Sequence, residues 1–142
     1  MTSHFPTPHA PISWGELIDK ITILEIKVIK ITSTVANGNV KKELLFLTNI
    51  ADSVLKQDGL QSLKKELREV NLKLWDVEDN IREKELAGDF DQVFIELARS
   101  VYKLNDIRAK IKKSINTVLK SELVEEKSYK DFEIINLGGK LT

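Results

Sequence analysis

The stretch that decides the fold is residues 70–91, VNLKLWDVEDNIREKELAGDFD. Its apolar residues recur at alternating steps of four and three, the spacing of one face of a long α-helix. The pattern extends back to about Leu60, so we predict a helix over Leu60–Ala87, about 40 Å long at 1.5 Å per residue. Its apolar seam consists of Leu63, Leu67, Val70, Leu74, Val77 and Ile81.

A short joint separates this helix from another long one. Gly88 suits the left-handed conformation common at helix C-termini, and Asp89 with Gln92 forms a D-x-x-Q start signal. The next helix reaches about Leu119, and Arg108 is the one charged residue at a seam position. Because the joint is so short, we predict an antiparallel hairpin. The apolar seam of its second helix is Leu97, Val101, Leu104, Ile111, Ile115 and Val118.

Two shorter helices are predicted ahead of the hairpin. The first starts at a capping box formed by Ser13 and Glu16 and ends at the NGN turn of residues 37–39. The second extends from about Asn39 to Gln57. The seam of the first comprises Leu17, Ile21, Leu24, Val28, Ile31 and Val35.

These segments predict an all-α fold, an antiparallel bundle of about four helices with heptad-like seams. Residues 1–12 contain all three prolines, and we expect them to form an extended arm. Residues 13–120 form the predicted bundle. Residues 121–142 are rich in apolar side chains, so we expect this tail to pack on the bundle or on a partner subunit.

Trp75 stands off the apolar seam of the third helix, in a row of polar and charged residues. That row is Arg68, Asn71, Trp75, Glu78, Arg82 and Glu85. The fourth helix carries the row Ala98, Tyr102, Asn105, Ala109, Lys112 and Asn116, with Arg99, Asp106 and Arg108 beside it. The first helix has the row Ile18, Thr22, Glu25 and Ile29. Residues at such spacing share one helix face, so these helices can pack in two directions.

Two interpretations of these rows stay open. In the first, the polar side chains form interhelical hydrogen bonds and ion pairs, which fix helix register at a cost in desolvation. In the second, they line a cleft for an anionic or polar small molecule, which arginines would bind and on which Trp75 and Tyr102 would stack. The candidate binding residues are Glu25, Asn71, Trp75, Glu78, Arg82, Arg99, Tyr102, Asn105, Asp106 and Arg108.

The composition narrows the classes of function. Twenty-two basic residues balance 22 acidic ones, which disfavours nucleic-acid binding because such affinity comes from neutralising phosphates. The sequence has no cysteine, which excludes disulfides and thiolate metal sites, and its two histidines, His4 and His9, lie in the arm. It has neither an apolar segment of membrane-spanning length nor a secretory signal pattern. We therefore expect a soluble cytoplasmic protein without a membrane partner.

The residues offer no catalytic motif and imply no metal and no cofactor. Paired carboxylates such as Glu16 and Asp19 could bind Mg²⁺, but Arg82 lies one turn after Glu78, where a further carboxylate would be needed. The surplus of apolar seams and the apolar tail favour a non-enzymatic interaction or assembly protein that self-associates as a homo-oligomer, with another protein as a further candidate partner. The alternative is a small-molecule or phosphometabolite-binding protein, which could be an enzyme, with its site in the polar rows.

Four blocks of the sequence resemble a bacterial family of all-helical domains of unknown function. They are SWGELIDKITILEIK (13–27), VNLKLWDVEDNIREKE (70–85), FIELARSVYKLNDIRAKIKKSIN (94–116) and LVEEKSY (123–129). The similarity extends from about Ile12 to Tyr129, with residues 32–62 and the extreme ends outside the pattern. The resemblance implies no activity or ligand, because the family has none established. Its characteristic positions are Glu16, Asp19, Lys20, Glu25, Lys27, Asn71, Trp75, Glu78, Arg82, Arg99, Tyr102, Asn105, Asp106, Arg108 and Glu126, many of which lie in the polar rows.

Overall fold

The computed structural model describes residues 4–129, which fold into four α-helices and confirm the predicted all-α class. The helices are α1 (Trp14–Lys30), α2 (Thr34–Ala51), α3 (Leu60–Ala87) and α4 (Gln92–Val118). α3 and α4 form the predicted long hairpin, and α1 packs against each of the other three helices. Between residues 4 and 129 there is no strand.

Local start and stop signals place several boundaries where the sequence predicts them. The Ser13 hydroxyl accepts a hydrogen bond from the Glu16 amide at 3.1 Å, which satisfies one of the amides that a first helical turn leaves unpaired. α3 agrees with its predicted limits at both ends. Gly88, at φ 65°, ends α3 in the left-handed conformation that glycine adopts without steric cost.

The predicted end of the first helix is wrong, because α1 stops at Lys30 and does not continue through Val35. The side-chain amide of Asn37 donates to the carbonyl oxygens of Val28 at 2.8 Å and Ile31 at 3.0 Å. These are carbonyl groups at the end of a helix, which need partners from outside it. Asn37 therefore stabilises a corner between α1 and α2.

The predicted limits of the second helix are also wrong. α2 starts at Thr34, where the Ser33 hydroxyl accepts from the Ala36 amide at 3.4 Å, and it ends at Ala51 instead of near Gln57. The NGN segment predicted as a turn lies inside this helix. Both Ser33, as a helix N-cap, and the NGN segment, as a turn, are local signals in this region. The helix forms from Ser33, and the Asn37 side chain binds the end of α1 instead of stabilising a turn of its own.

The start of α4 differs from prediction by its capping residue. Asp91, and not Asp89, caps the helix and accepts from the Phe94 amide at 3.0 Å. Lys84 binds both aspartates, at 3.1 Å from Asp89 and 2.9 Å from Asp91. The Phe94 amide and then Lys84 hold the pKa of Asp91 below its usual value.

The buried core lies at one end of the hairpin, where α1 covers it. Its members are Leu17, Ile18, Ile21, Ala51, Leu60, Leu67 and Ile115. From Trp75 through Ile111, by contrast, no residue is buried. The outer part of the hairpin is thus only two helices thick, and its predicted seam residues are only partly buried.

The segments that flank the bundle are described only in part. Residues 4–12 are non-helical and exposed. In the tail, the Ser121 hydroxyl accepts from the Trp14 amide at 3.2 Å, and Glu125 contacts α4. Residues 130–142 lie outside the described part, so tail packing as a whole stays a prediction. None of the helices within residues 4–129 is long and apolar enough to cross a bilayer.

Candidate functional site

A buried carboxylate joins three helices. Asp19 of α1 is fully buried and accepts hydrogen bonds at 2.9 Å from Asn71 of α3 and at 2.9 Å from Nε of Arg108 of α4. A second nitrogen of the Arg108 guanidinium bonds the other carboxylate oxygen, so the ion pair is bidentate. The hydrogen bond to Asp19 raises the pKa of Arg108 above its ordinary value.

The Asn71 amide is held in one orientation by the same cluster. Its nitrogen donates to Asp19 and also to the Thr22 hydroxyl at 2.9 Å. The Thr22 hydroxyl in turn donates to the backbone carbonyl of Asp19 at 2.8 Å. Because both amide hydrogens are used, the carbonyl oxygen of Asn71 is its remaining hydrogen-bonding atom.

One turn further along α4, a buried lysine binds two carboxylates. Lys112 Nζ lies 2.7 Å from Glu16 of α1 and 2.7 Å from Glu125 of the tail. Burial alone would lower the pKa of Lys112, but the hydrogen bonds to Glu125 and Glu16 outweigh it and the pKa is raised. The Lys112 ammonium lowers the pKa of Glu125 to about 2.

The start of α1 lies directly against the backbone of α4. The Gly15 amide donates to the side-chain oxygen of Asn116 at 2.7 Å. A Cβ added at Gly15 would lie 2.5 Å from the backbone carbonyl oxygen of Lys112. Only glycine permits this approach, and the approach brings Glu16 and Asp19 within reach of α4.

These contacts favour the first interpretation of the polar rows for the part of the rows that is buried. The charges of Asp19, Arg108 and Lys112 are compensated by partners within the chain. Compensated buried charges fix the register of packed helices more than they add stability. The network therefore holds α1 on the hairpin, and of its three charged groups only Arg108 also lines the cleft next to it.

A cleft opens next to this network, where α1 no longer covers the hairpin. Its volume is about 500 Å³, within the range of small-molecule sites. Its lining combines apolar, aromatic, amide and charged side chains from α1, α3 and α4. These are Ile23, Ile26, Asn71, Leu74, Trp75, Glu78, Asp79, Arg82, Asn105 and Arg108.

The structure brings together six of the ten predicted binding residues. Asn71, Trp75, Glu78, Arg82, Asn105 and Arg108 all line the cleft. Glu25 lies elsewhere, with its carboxylate oxygens 3.4 and 3.5 Å from Lys64 Nζ. Arg99, Tyr102 and Asp106 are not part of the cleft lining.

Sequence reasoning missed the acceptor at the centre of the network. It took Glu25 as the carboxylate of the polar row in α1, whereas Asp19 is the one that α3 and α4 bind. Two sequence signals pointed to residues of the network. Glu16 and Asp19 are an i,i+3 pair, and Lys112 belongs to the polar row of α4 on the same helix as Arg108. Within residues 4–129, no group of three or more His, Cys, Asp or Glu side chains could hold a metal ion.

A family model described as a family of unknown function (DUF6165) matches residues 9–135. No curated protein and no solved structure matches the chain. The family match spans all four helices, so both the network and the cleft lie within it.

Proposed function

We propose that this chain is a non-enzymatic helical assembly protein that self-associates. The chain belongs to the family of unknown function DUF6165, and this membership assigns it no activity. The observation that carries the proposal is a mainly apolar stripe along α4 that the bundle covers only in part. This outer stripe repeats at steps of four and three and consists of Val93, Leu97, Ser100, Leu104, Ile107, Ile111, Ser114 and Val118.

The exposed members of the outer stripe lie away from α1, whereas Ile111 packs against the core. α1 binds α4 through Arg108, Lys112 and Asn116, which are on another side of that helix. Val93, Ile107 and Val118 of the stripe are 44–49 % exposed. Exposed branched side chains that recur near both ends and the middle of a helix, in a four-three repeat, are typical of a surface that packs on another helix.

A groove between α3 and α4 continues the stripe. It has a volume of about 420 Å³ and is lined by Lys73, Asp76, Val77, Ser100, Lys103 and Leu104, with no residue of α1. This face of the hairpin is two helices wide, so it measures roughly 20 by 40 Å, or about 800 Å² per copy. That area is close to what each partner contributes to a stable interface of standard size, about 800 Å².

The opposite net charges of α3 and α4 favour a second copy of the chain as the occupant. Between Glu66 and Glu85, α3 carries seven acidic and four basic residues. Between Arg99 and Lys113, α4 carries six basic residues and one acidic one, and four basic residues remain when Arg108 and Lys112, which are paired within the chain, are left out. A twofold arrangement that sets α4 against α3 of the other copy pairs a basic helix with an acidic helix twice.

Sedimentation equilibrium of the full chain over a range of concentrations tests the proposal. We expect a reversible monomer–dimer equilibrium, and Ile107→Glu should shift it toward monomer by placing a charge in the apolar interface. Ile95→Glu is a matched control. Both isoleucines are on α4 and 46 % exposed, but a spacing of 12 residues sets them about 120° apart around the helix.

Three outcomes would contradict the proposal. A wild-type chain that stays monomeric at every concentration would refute self-association. A dimer weakened by Ile95→Glu and not by Ile107→Glu would place the interface on another face. A chain that dimerises only after residues 130–142 are removed would show that its own tail occupies the outer stripe. Circular dichroism of each variant checks that its helices are retained.

A further inference from the structure

The cleft beside Trp75 has a polar inner wall whose hydrogen-bonding atoms are fixed before any ligand binds. On α3, Asn71 is buried and spends both amide hydrogens on Asp19 and Thr22, so its carbonyl oxygen is left as an acceptor. On α4, the Asn105 carbonyl oxygen accepts from Arg108 Nη1 at 3.3 Å, so its amide group is left as a donor. The wall therefore offers an acceptor from one helix and a donor from the other.

Among the charged side chains of the cleft, the two carboxylates lie on α3 and Arg108 lies on α4. Glu78 and Asp79 are consecutive on α3, and the Trp75 ring lies one helical turn before them on the same lining. Carboxylates and an indole face both attract an ammonium group. Arg108 on α4 retains guanidinium hydrogens beyond those bound by Asp19 and Asn105, and these can bind a carboxylate.

The apolar part of the lining supplies the third element of a recognition site. Ile23 and Ile26 come from α1, and Leu74 from α3, where Ile26 and Leu74 are both buried. These side chains can cover an apolar group of a ligand while its polar ends meet α3 and α4.

A phosphate ligand fits this lining less well. The positive charge of Arg108 is already balanced by Asp19. Glu78 and Asp79 outnumber Arg82, the other arginine of the cleft, which itself lies 4.0 Å from Glu78. A dianion would meet net negative charge here, whereas a ligand that carries an ammonium and a single carboxylate would not.

We propose that this cleft binds a small zwitterion of the α-amino-acid class with an apolar side chain. Its ammonium group lies against Glu78, Asp79 and the Trp75 ring, and its carboxylate against Asn105 and Arg108. Its side chain packs on the isoleucines of α1. The site is on the α1 side of the hairpin and is independent of the proposed self-association, which uses the opposite face.

The test compares three probes of nearly equal shape: L-leucine, 3-methylbutylamine, which lacks the carboxylate, and 4-methylpentanoate, which lacks the ammonium. Binding is followed by the indole N–H signals of the ¹⁵N-labelled chain, whose two tryptophans are distinguished with the Trp14→Phe variant. We expect L-leucine to shift the Trp75 signal in a saturable way, and each analogue to bind at least about tenfold more weakly. The same titration on Ile107→Glu keeps the result separate from self-association.

Substitution of a carboxylate tests the assigned orientation. Glu78→Gln should weaken L-leucine about tenfold and leave 4-methylpentanoate unchanged, because only the first carries an ammonium. Glu83→Gln is the matched control on an exposed site of α3 outside the cleft. The proposal is overturned if the Trp75 signal does not move with L-leucine, if the three probes bind alike, or if both glutamate variants weaken binding equally.

Discussion

Replacing Gly15 by alanine should destabilise the protein, although the same change in a helix usually does the opposite. The added Cβ would lie 2.5 Å from the backbone carbonyl oxygen of Lys112 and 3.0 Å from the side-chain oxygen of Asn116. A backbone carbonyl within α4 cannot rotate away, so the two helices must separate. The separation would also lengthen the 2.7 Å hydrogen bond from the Gly15 amide to Asn116.

The magnitude follows from two opposing terms. Overpacking of a close contact costs about 1–3 kcal/mol. Alanine is favoured over glycine within a helix by roughly 0.5–1 kcal/mol, and by less in the first turn, where Gly15 is located. The net expectation is a loss of about 1–2 kcal/mol in the free energy of unfolding.

Gly38 provides a matched control for this substitution. It lies inside α2, and nothing approaches within 4 Å of the position where its Cβ would be. Gly38→Ala should therefore stabilise the protein by roughly 0.5–1 kcal/mol. Urea unfolding followed by circular dichroism measures both variants. If Gly15→Ala raised the midpoint as Gly38→Ala does, the argued contact between α1 and α4 would be refuted.

Three further predictions concern the polar network. Asp19→Leu should lower the free energy of unfolding by about 3 kcal/mol, because the partly buried Arg108 guanidinium loses its partner. In a double-mutant cycle, the variant that also carries Arg108→Leu should recover part of this loss. The pKa of Glu125, about 2, is depressed, so the stability that its pair with Lys112 contributes is complete above the ordinary glutamate pKa and is lost as the pH falls toward 2. Because the Glu125 side chain is 40 % exposed, this contribution is small. In urea titrations, Glu125→Gln should therefore reduce the loss of stability between pH 5 and pH 2 by only about 1 kcal/mol. Asn116→Ala should cost about 1–3 kcal/mol in the same assay, because a buried amide in the first turn of α1 loses its acceptor.

The helices of the hairpin were predictable because their signals are local. The limits of α3 follow from an uninterrupted four-three repeat and from Gly88, and each of these signals is read within a few residues. The corner between α1 and α2 was not predictable in the same way. Asn37 ends α1 from six and nine residues downstream by reaching back to Ile31 and Val28, so its role depends on the fold it helps to form.

The polar rows located the cleft but not the network behind it. Helical spacing shows which residues share a face, and this was enough to group Asn71, Trp75, Glu78 and Arg82. Which carboxylate of α1 meets Arg108 depends on how closely and at what height two helices approach. Gly15 sets that approach, and it makes Asp19 the partner while Glu25 lies beside Lys64.

Both proposals follow from one mismatch of lengths among the helices. α1 has 17 residues, whereas α3 has 28 and α4 has 27, so α1 is shorter than the hairpin by about 15 Å. α2 does not fill this gap, because it packs on α1 and not on the outer part of the hairpin. The hairpin nevertheless carries apolar seam residues along its whole length, and in its outer part the two helices bury them only in part. On the side of α1 the mismatch leaves the cleft at Trp75, and on the opposite side it leaves the outer stripe, which a second copy of the hairpin has the length and the charge to cover.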